Sequence, residues 1–258
     1  MAEGFVTVQG MNLFYVTEGE GIPVLYVHGN TGSSAWFYRV MNLPGYKTYA
    51  LDMPNFGRSS ELPGEVDLHR YADVVKGFAE ALKLENPIVV AHSLGGAVAQ
   101  SLAVRYPEMM RALVLIDSSA PDGLVTPKEH YPLIEMMRGN RAVLYGALKA
   151  TVPTLEDEVF FELLVNDAAL MAPKAWVGNA AALGSFDVSG KTSAFTKPVL
   201  VIWGRKDGII TEKMAQDTAA AYPAGSLKII EGVGHSVLVE NPPLFKNLLK
   251  DFLADLTH

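Results

Sequence analysis

The chain has 258 residues, of which 49% are hydrophobic and 19% are charged, as in a globular protein with a substantial core. Its formal net charge of −7 argues against nucleic acid or an anionic membrane surface as a partner. The absence of cysteine excludes disulfides, a cysteine nucleophile and thiolate metal sites. No apolar run approaches the about 20 residues of a membrane helix, and the N-terminus lacks the pattern of a signal peptide. We expect a cytoplasmic monomer or homodimer without a membrane partner.

The first half of the chain alternates predicted strands with helices. Residues 5–8 and 13–16 flank a turn at Gly10 and predict an antiparallel hairpin. Continuous apolar runs then predict buried strands, and apolar residues at helical spacing predict helices. The strands are predicted at 24–27, 47–51, 88–90 and 112–117, and the helices at 36–41, at 67–84 and from 95 to 106.

The alternation stops after Ser119 and resumes near residue 197. Between 121 and 196 the sequence predicts helices rich in methionine, leucine and aromatic residues, without a buried strand. Strands follow at 198–203 and 226–230, with a helix at 212–222 and another from Pro242. The pattern predicts an α/β fold with an eight-stranded, mostly parallel sheet that helices cover on both faces. Its core would comprise residues 1–120 and 197–258, and residues 121–196 would form a helical insertion.

A single serine lies between the fifth predicted strand and the helix that follows it. The sequence there, Ala91-His92-Ser93-Leu94-Gly95, nearly matches G-x-S-x-G, the sharp strand-to-helix turn that exposes a nucleophilic serine. Such a turn needs small residues on both sides, because two backbone segments approach closely. Gly95 supplies one, and Ala91 replaces the other glycine with an extra methyl group.

A serine nucleophile needs a base and a group that orients the base. Asp207 lies just beyond the seventh predicted strand, and His235 lies just beyond the eighth. The carboxyl ends of parallel strands share one edge of a sheet, so both side chains can approach Ser93. The chain order Ser, Asp, His is the one expected for this strand arrangement.

Together these features resemble an α/β-hydrolase fold enzyme with a helical cap, similar to carboxylesterases, over essentially the whole chain. The resemblance is carried by His28-Gly29, the 52–59 segment, the serine turn, Asp207 in a Gly-x-x-Asp turn and Gly234-His235. It implies that Ser93 is the nucleophile, Asp207 the orienting acid and His235 the general base and acid.

The resemblance also implies an oxyanion hole and a cap. The hole would consist of the backbone N–H groups of Asn30 and Leu94, and residues 121–196 would cover the pocket. Asn30 could also offer its side-chain amide to a ligand, as in dehalogenases. Some relatives carry the acid at the end of the sixth strand, so Asp117 is an alternative to Asp207. Asn55 replaces a glycine usual in the 52–59 segment and can keep a left-handed backbone.

The remaining histidines have structural interpretations. We expect His28 to brace the oxyanion loop by a side-chain hydrogen bond, and His92 to pack behind the serine turn. Three histidines are predicted at the surface: His69, His130 and His258. No cluster has metal-ligand spacing, so neither a metal nor another cofactor is expected.

The expected substrate is a small molecule, a carboxylic ester with mainly hydrophobic groups, since methionines suit an adaptable apolar pocket. The candidate pocket residues are Trp36, Met136, Met137, Met171, Trp176 and Val237. A lactonase, a C–C bond hydrolase or a perhydrolase could use the same residues. A ligand receptor on a hydrolase scaffold is the alternative from another class. A serine at position 93 argues against epoxide hydrolases and haloalkane dehalogenases, which need a carboxylate nucleophile.

Overall fold

The computed structural model describes residues 1–256. Within them, eight strands form one sheet in the order β1-β2-β4-β3-β5-β6-β7-β8. The strands are β1 (Ala2–Val8), β2 (Met11–Gly19), β3 (Ile22–Val27), β4 (Tyr46–Leu51), β5 (Ile88–His92), β6 (Ala112–Ile116), β7 (Val199–Gly204) and β8 (Gly225–Ile230). This confirms the predicted α/β fold with its mostly parallel sheet.

The sheet is antiparallel only at its N-terminal edge. β1 pairs with β2, and β2 with β4, in antiparallel register, while every later pair is parallel. The β1–β2 connection is a two-residue turn in which Gln9 and Gly10 both have positive φ, of 51° and 81°. Strands β5 and β6 are buried along their whole length, as continuous apolar runs require in a sheet covered on both faces.

Helices follow β4 and every later strand. They are α1 (Leu68–Ala81), α2 (Leu94–Arg105), α3 (Tyr131–Gly139), α4 (Arg141–Thr151), α5 (Glu158–Ala168), α6 (Ala175–Ser185), α7 (Glu212–Ala220), α8 (Val237–Glu240) and α9 (Pro242–Asp255). Four of them, α3 to α6, lie between β6 and β7, where the sequence predicts the helical insertion. That this insertion acts as a cap stays a prediction. No helix within residues 1–256 is long and apolar enough to span a bilayer.

Local hydrogen bonds explain where the structure differs from the sequence prediction. The helix predicted over 36–41 is a short 3₁₀ turn, Ser34–Phe37, and it begins at Ser34 because the Ser33 hydroxyl accepts the Ala35 N–H at 3.1 Å. α1 begins at Leu68 because the Asp67 carboxylate accepts the Arg70 N–H at 2.9 Å.

His69 corrects another prediction, because it is half-buried rather than on the surface. Its Nδ1 lies 2.8 Å from Ser101 Oγ, and this hydrogen bond joins α1 to α2. His130 is exposed as expected, and His258 lies outside the described residues.

The sheet topology brings the candidate site residues to one edge. β4 and β5 lie on opposite sides of β3, so the chain reverses its direction of progress across the sheet beside β3. Open parallel sheets bind ligands at such a point, beyond the carboxyl ends of the strands. The loops after β3, β5, β7 and β8 meet at this edge and carry Asn30, Ser93, Asp207 and His235.

Candidate active site

Ser93 occupies a strained backbone conformation between β5 and α2. Its φ of 52° and ψ of −119° are unfavourable for a residue with a side chain, and the turn holds them by tight packing. A Cβ at Gly95 would lie 2.3 Å from the carbonyl oxygen of His28 and 2.5 Å from that of Val27. Only glycine fits there. This close approach lifts Ser93 to the edge of the sheet, where it lines a cavity.

Ser93, His235 and Asp207 form a continuous hydrogen-bonded chain. His235 Nε2 lies 2.9 Å from Ser93 Oγ, and His235 Nδ1 lies 2.7 Å from Asp207 Oδ2. With Nδ1 protonated and donating to the carboxylate, Nε2 presents a lone pair to the serine hydroxyl. The arrangement can therefore move the Ser93 proton onto the imidazole and stabilise the resulting cation.

The Asp207 carboxylate is held in its charged form. Burial by itself raises the pKa of this carboxyl, but the hydrogen bond and charge of His235 outweigh burial. The N–H groups of Ile209 and Ile210 also donate to Oδ1, at 2.7 and 3.0 Å. The net result is a pKa below the usual range.

Asp117, the alternative acid, contacts neither Ser93 nor His235 through a hydrogen bond. Its Oδ1 accepts the Gly204 N–H at 2.8 Å, and its Oδ2 is buried. Burial, reinforced by the nearby Asp207 charge, raises the pKa of Asp117 well above its usual value. Of the two carboxyl groups, Asp207 is the one that contacts the histidine.

Two backbone N–H groups are candidate oxyanion donors, that of Leu94, next to Ser93 in the chain, and that of Asn30, which lines the same cavity. Leu94 is the first residue of α2, so its N–H has no acceptor within the helix. Asn30 follows β3, and its N–H donates to no residue in the range 1–256. Such free donors suit an oxyanion hole. The Asn30 side chain is held separately, because its Oδ1 accepts from Asn179 Nδ2 at 2.8 Å.

His28 and His92 support the two loops that carry these groups. His28 Nε2 accepts the Met53 N–H at 2.9 Å, which ties the loop after β3 to the loop after β4. His92 stacks on Trp36, and its Nε2 lies 2.7 Å from the His235 carbonyl and 2.9 Å from Ser236 Oγ. Burial lowers the pKa of His28 to about 4 and that of His92 to about 3. Both rings are therefore neutral near pH 7.

Ser93 and His235 line a cavity of about 260 Å³. Helix α4 of the insertion contributes Leu148 and Thr151 to its wall, and the loop after β7 contributes Ile209. No carboxylate, lysine or arginine of the described chain lines it. The cavity therefore suits an uncharged, largely apolar group. Leu148, Thr151 and Ile209 were not among the sequence candidates, since nothing in the sequence distinguishes them from core residues.

The structure places two of the six pocket candidates, Trp36 and Met137, on this cavity wall and corrects the other four. Met136 is 52% exposed because α3 turns it to solvent. Met171, Trp176 and Val237 are buried in the core, where the Trp176 Nε1–H donates to the Met171 carbonyl. Within residues 1–256, no group of three or more histidine and acidic side chains could hold a metal ion.

The chain belongs to the alpha/beta hydrolase family, whose model matches residues 24–246. A similar curated protein is the pimeloyl-[acyl-carrier protein] methyl ester esterase of Photobacterium profundum. It is 28% identical, and the match covers 93% of this chain and 98% of the esterase. The 2-hydroxymuconate semialdehyde hydrolase of Pseudomonas sp. (strain CF600) is 29% identical, over 92% of this chain and 88% of that hydrolase.

A solved structure is similar over nearly the whole chain. The crystal structure of a putative aryl esterase from Burkholderia cenocepacia matches with a TM-score of 0.88, covering 99% of both chains at 23% identity. At this identity the likeness shows the fold alone. The protein is thus a member of a hydrolase family with an α/β-hydrolase fold.

Proposed function

We propose that the protein is a serine hydrolase that cleaves carboxylic esters through an acyl-enzyme intermediate. The observation that carries the proposal is the hydrogen-bonded chain from Asp207 through His235 to Ser93, which ends on an apolar cavity. A nucleophile, a base and a buried orienting carboxylate in this geometry are the parts that acyl transfer needs.

In the first half of the reaction, Ser93 Oγ attacks the ester carbonyl carbon while His235 Nε2 takes the hydroxyl proton. The Asp207 carboxylate stabilises the imidazolium that forms and keeps the ring oriented. The N–H groups of Asn30 and Leu94 donate to the oxygen that becomes negatively charged. His235 then returns the proton to the leaving alcohol, and the acyl group remains on Ser93.

In the second half, a water molecule replaces the alcohol. His235 removes a proton from the water, which attacks the acyl carbon, and the same N–H groups stabilise the second oxyanion. Collapse of this intermediate releases the carboxylic acid and returns the proton to Ser93. The reaction balances with water as the sole co-reactant, so no cofactor is required.

The size and chemistry of the cavity support a small to medium hydrophobic group as the acyl or alcohol part. At about 260 Å³, and with no carboxylate, lysine or arginine of the described residues on its wall, it favours uncharged chains over acids or amines. The similar methyl ester esterase supports ester cleavage. In this proposal the insertion 121–196 acts as the cap, since α4 provides part of the wall.

A second candidate reaction is C–C bond hydrolysis. It is favoured by the similarity to the 2-hydroxymuconate semialdehyde hydrolase, and the same residues could perform it. That reaction would need room for a substrate with its own carboxylate, and the described cavity offers no cationic side chain to pair with one. Ester cleavage therefore fits this cavity better.

The proposal is tested with p-nitrophenyl esters of increasing acyl length. Ser93→Ala is expected to lower kcat by about 10⁴-fold or more, because the members of such a chain act as a unit. Ser119→Ala is the matched control, since its buried Oγ has no hydrogen-bond partner within residues 1–256 and Ser119 does not line the cavity. Undiminished turnover by Ser93→Ala would overturn the assignment. Labelling of Ser93 by a fluorophosphonate without turnover of any ester would favour a receptor.

A further inference from the structure

A buried chain of polar side chains runs from the loop after β4 to the loop after β3. The Leu62 N–H donates to Asn55 Oδ1 at 2.9 Å, and Asn55 Nδ2 donates to the Tyr71 hydroxyl at 2.6 Å. The Tyr71 hydroxyl donates to Asn179 Oδ1 at 3.2 Å, and Asn179 Nδ2 donates to Asn30 Oδ1 at 2.8 Å. We call these four side chains, Asn55, Tyr71, Asn179 and Asn30, the relay.

The direction of the relay is fixed at its first bond. A backbone N–H can only donate, so Asn55 must present its oxygen to Leu62 and its nitrogen to Tyr71. The Tyr71 oxygen then accepts, and its proton is free to donate to Asn179. Each amide orientation follows from the one before it, and the last bond leaves Asn30 with its oxygen engaged.

The first three members of the relay are shielded from water, so their bonds hold their orientation. Asn55 is 2% exposed, and Tyr71 and Asn179 are fully buried. Burial also raises the pKa of Tyr71, which keeps the hydroxyl protonated as a donor. An unpaired amide in this environment would cost about 1–3 kcal/mol, which disfavours a flipped arrangement. The second N–H of Asn179 faces Met171 Sδ at 3.6 Å.

At the end of the relay, Asn30 borders the cavity. Its Nδ2 donates to no described residue and is not among the buried unpartnered atoms. The same residue carries the backbone N–H assigned to the oxyanion hole. Asn179 belongs to α6 of the insertion, so a residue of the insertion holds a residue of the catalytic edge.

We propose that Asn179 is a positioning residue that fixes Asn30, so that its backbone N–H and its side-chain Nδ2 both face the substrate as donors. The inference rests on the proposed function, because it assigns Asn30 to the stabilisation of the oxyanion. Asn30 stabilises charge that develops only in the transition state, so loss of Asn179 acts on kcat rather than KM.

Two substitutions at Asn179 separate this role from simple packing. Asn179→Leu removes the donor to Asn30 and is expected to lower kcat for p-nitrophenyl butyrate about 10-fold, with KM within about threefold. Asn179→Asp keeps the shape but replaces the donor with an acceptor, so Asn30 would turn its Nδ2 away from the cavity. We expect about a 100-fold loss of kcat for it. Arg39→Met is the control, because it loosens another contact of the insertion, with Asp157, away from Asn30.

A double-mutant cycle provides the decisive measurement. If Asn179 acts through Asn30, Asn179→Leu lowers kcat by less than about twofold when Asn30 is already alanine. The proposal would be overturned if the losses of kcat from Asn179→Leu and Asn30→Ala multiply in the double variant. It would also be overturned if Asn179→Asp keeps kcat within about twofold of the parent with an unchanged melting temperature. If Asn179→Leu fails to fold, Tyr71→Phe, which keeps the ring, is the second variant, and it is expected to lower kcat in the same direction.

The failure of the proposed function would be distinguishable. If the parent protein hydrolyses no ester, the same cycle is measured as the rate of fluorophosphonate labelling at Ser93, whose phosphoryl oxygen also needs the N–H donors. If Asn179→Leu lowers the labelling rate in the parent but not in the Asn30→Ala variant, the positioning role is supported without ester turnover. A rate unchanged by Asn179→Leu would overturn it.

Discussion

At the scale of single residues, the two acids near the site differ in what they contact. The Asp207 carboxylate accepts a hydrogen bond from His235 across 2.7 Å, whereas the Asp117 carboxyl accepts from the Gly204 N–H. We expect Asp207→Ala to lower kcat by about 10⁴-fold, because the His235 ring loses the partner that orients it and the imidazolium loses its counter-charge. Asp117→Asn keeps an acceptor for Gly204 and is expected to retain kcat within about threefold.

Steady-state kinetics with p-nitrophenyl butyrate measure both variants, and circular dichroism checks that each is folded. A larger loss of kcat in Asp117→Asn than in Asp207→Ala would show that the sixth strand supplies the acid. The sequence left these two residues as alternatives because both follow a buried strand. Only the hydrogen bond to His235 separates them.

At the scale of elements, two helical glycines, Gly95 in α2 and Gly146 in α4, have different surroundings. A Cβ at Gly95 in α2 would meet two carbonyl oxygens at 2.3 and 2.5 Å, whereas one at Gly146 in α4 meets nothing within 4 Å. We expect Gly95→Ala to destabilise the fold by about 2 kcal/mol or more, since β3 or the serine turn must shift. Gly146→Ala is expected to stabilise it by about 0.5–1 kcal/mol, through lower backbone entropy of the unfolded chain.

Urea denaturation gives both free energies of unfolding. A Gly95→Ala protein as stable as the parent, with unchanged activity, would mean that the close approach of β3 and α2 is not required. A destabilised Gly146→Ala protein would show that α4 packs through that position.

The elements themselves were predictable because their patterns are local. Apolar runs such as Ala112–Ile116 define strands, and the small residues after Ser93 define the start of α2. The rotation of the insertion helices was not predictable, because it depends on which faces pack together. Adjacent Met136 and Met137 are alike in sequence, yet one is exposed and the other lines the cavity. Asn179 gave no signal either, since its partners are remote in the sequence.

At the scale of the whole molecule, Glu240 joins the insertion to the loop that carries His235. Its Oε1 accepts the N–H groups of Gly234 and Ser236, at 2.8 and 3.2 Å. Its Oε2 accepts from the N–H and the hydroxyl of Thr154, at 3.1 and 2.5 Å. The carboxylate thus fixes the His235 loop against the end of α4. Thr151, the last residue of α4, adds a second connection, because its carbonyl accepts the His235 N–H at 3.0 Å.

We expect Glu240→Ala to lower kcat about 10-fold and the melting temperature by about 4–8 °C, because several partly buried donors lose their acceptor. Glu212→Ala is the matched control, because the Glu212 carboxylate pairs with Arg205 at the surface. This substitution is expected to shift the melting temperature by less than about 1 °C. Activity assays and thermal melts measure both variants. A Glu240→Ala protein with parental kcat would show that the His235 loop holds its position without the insertion.

The stability of the whole molecule should also depend on pH, through the two buried histidines His28 and His92. Their pKa values in the folded protein are about 4 and about 3, because burial disfavours the charged rings. In the unfolded chain the same groups titrate near pH 6.5. Above pH 6.5 both states carry neutral rings, so the contribution of the two histidines to stability is fully present. As the pH falls below 6.5, only the unfolded chain takes up protons, and the stability is lost progressively towards pH 3–4.

From pH 7.5 to pH 5, each histidine is expected to lower the free energy of unfolding by about 2 kcal/mol, or about 4 kcal/mol together. Urea denaturation across this range measures the slope. His92→Phe keeps a ring against Trp36 and lowers stability at every pH, but it should remove from the slope the contribution of one histidine, about 2 kcal/mol between pH 7.5 and pH 5. A slope unchanged in His92→Phe would mean that this ring takes up its proton without unfolding the protein.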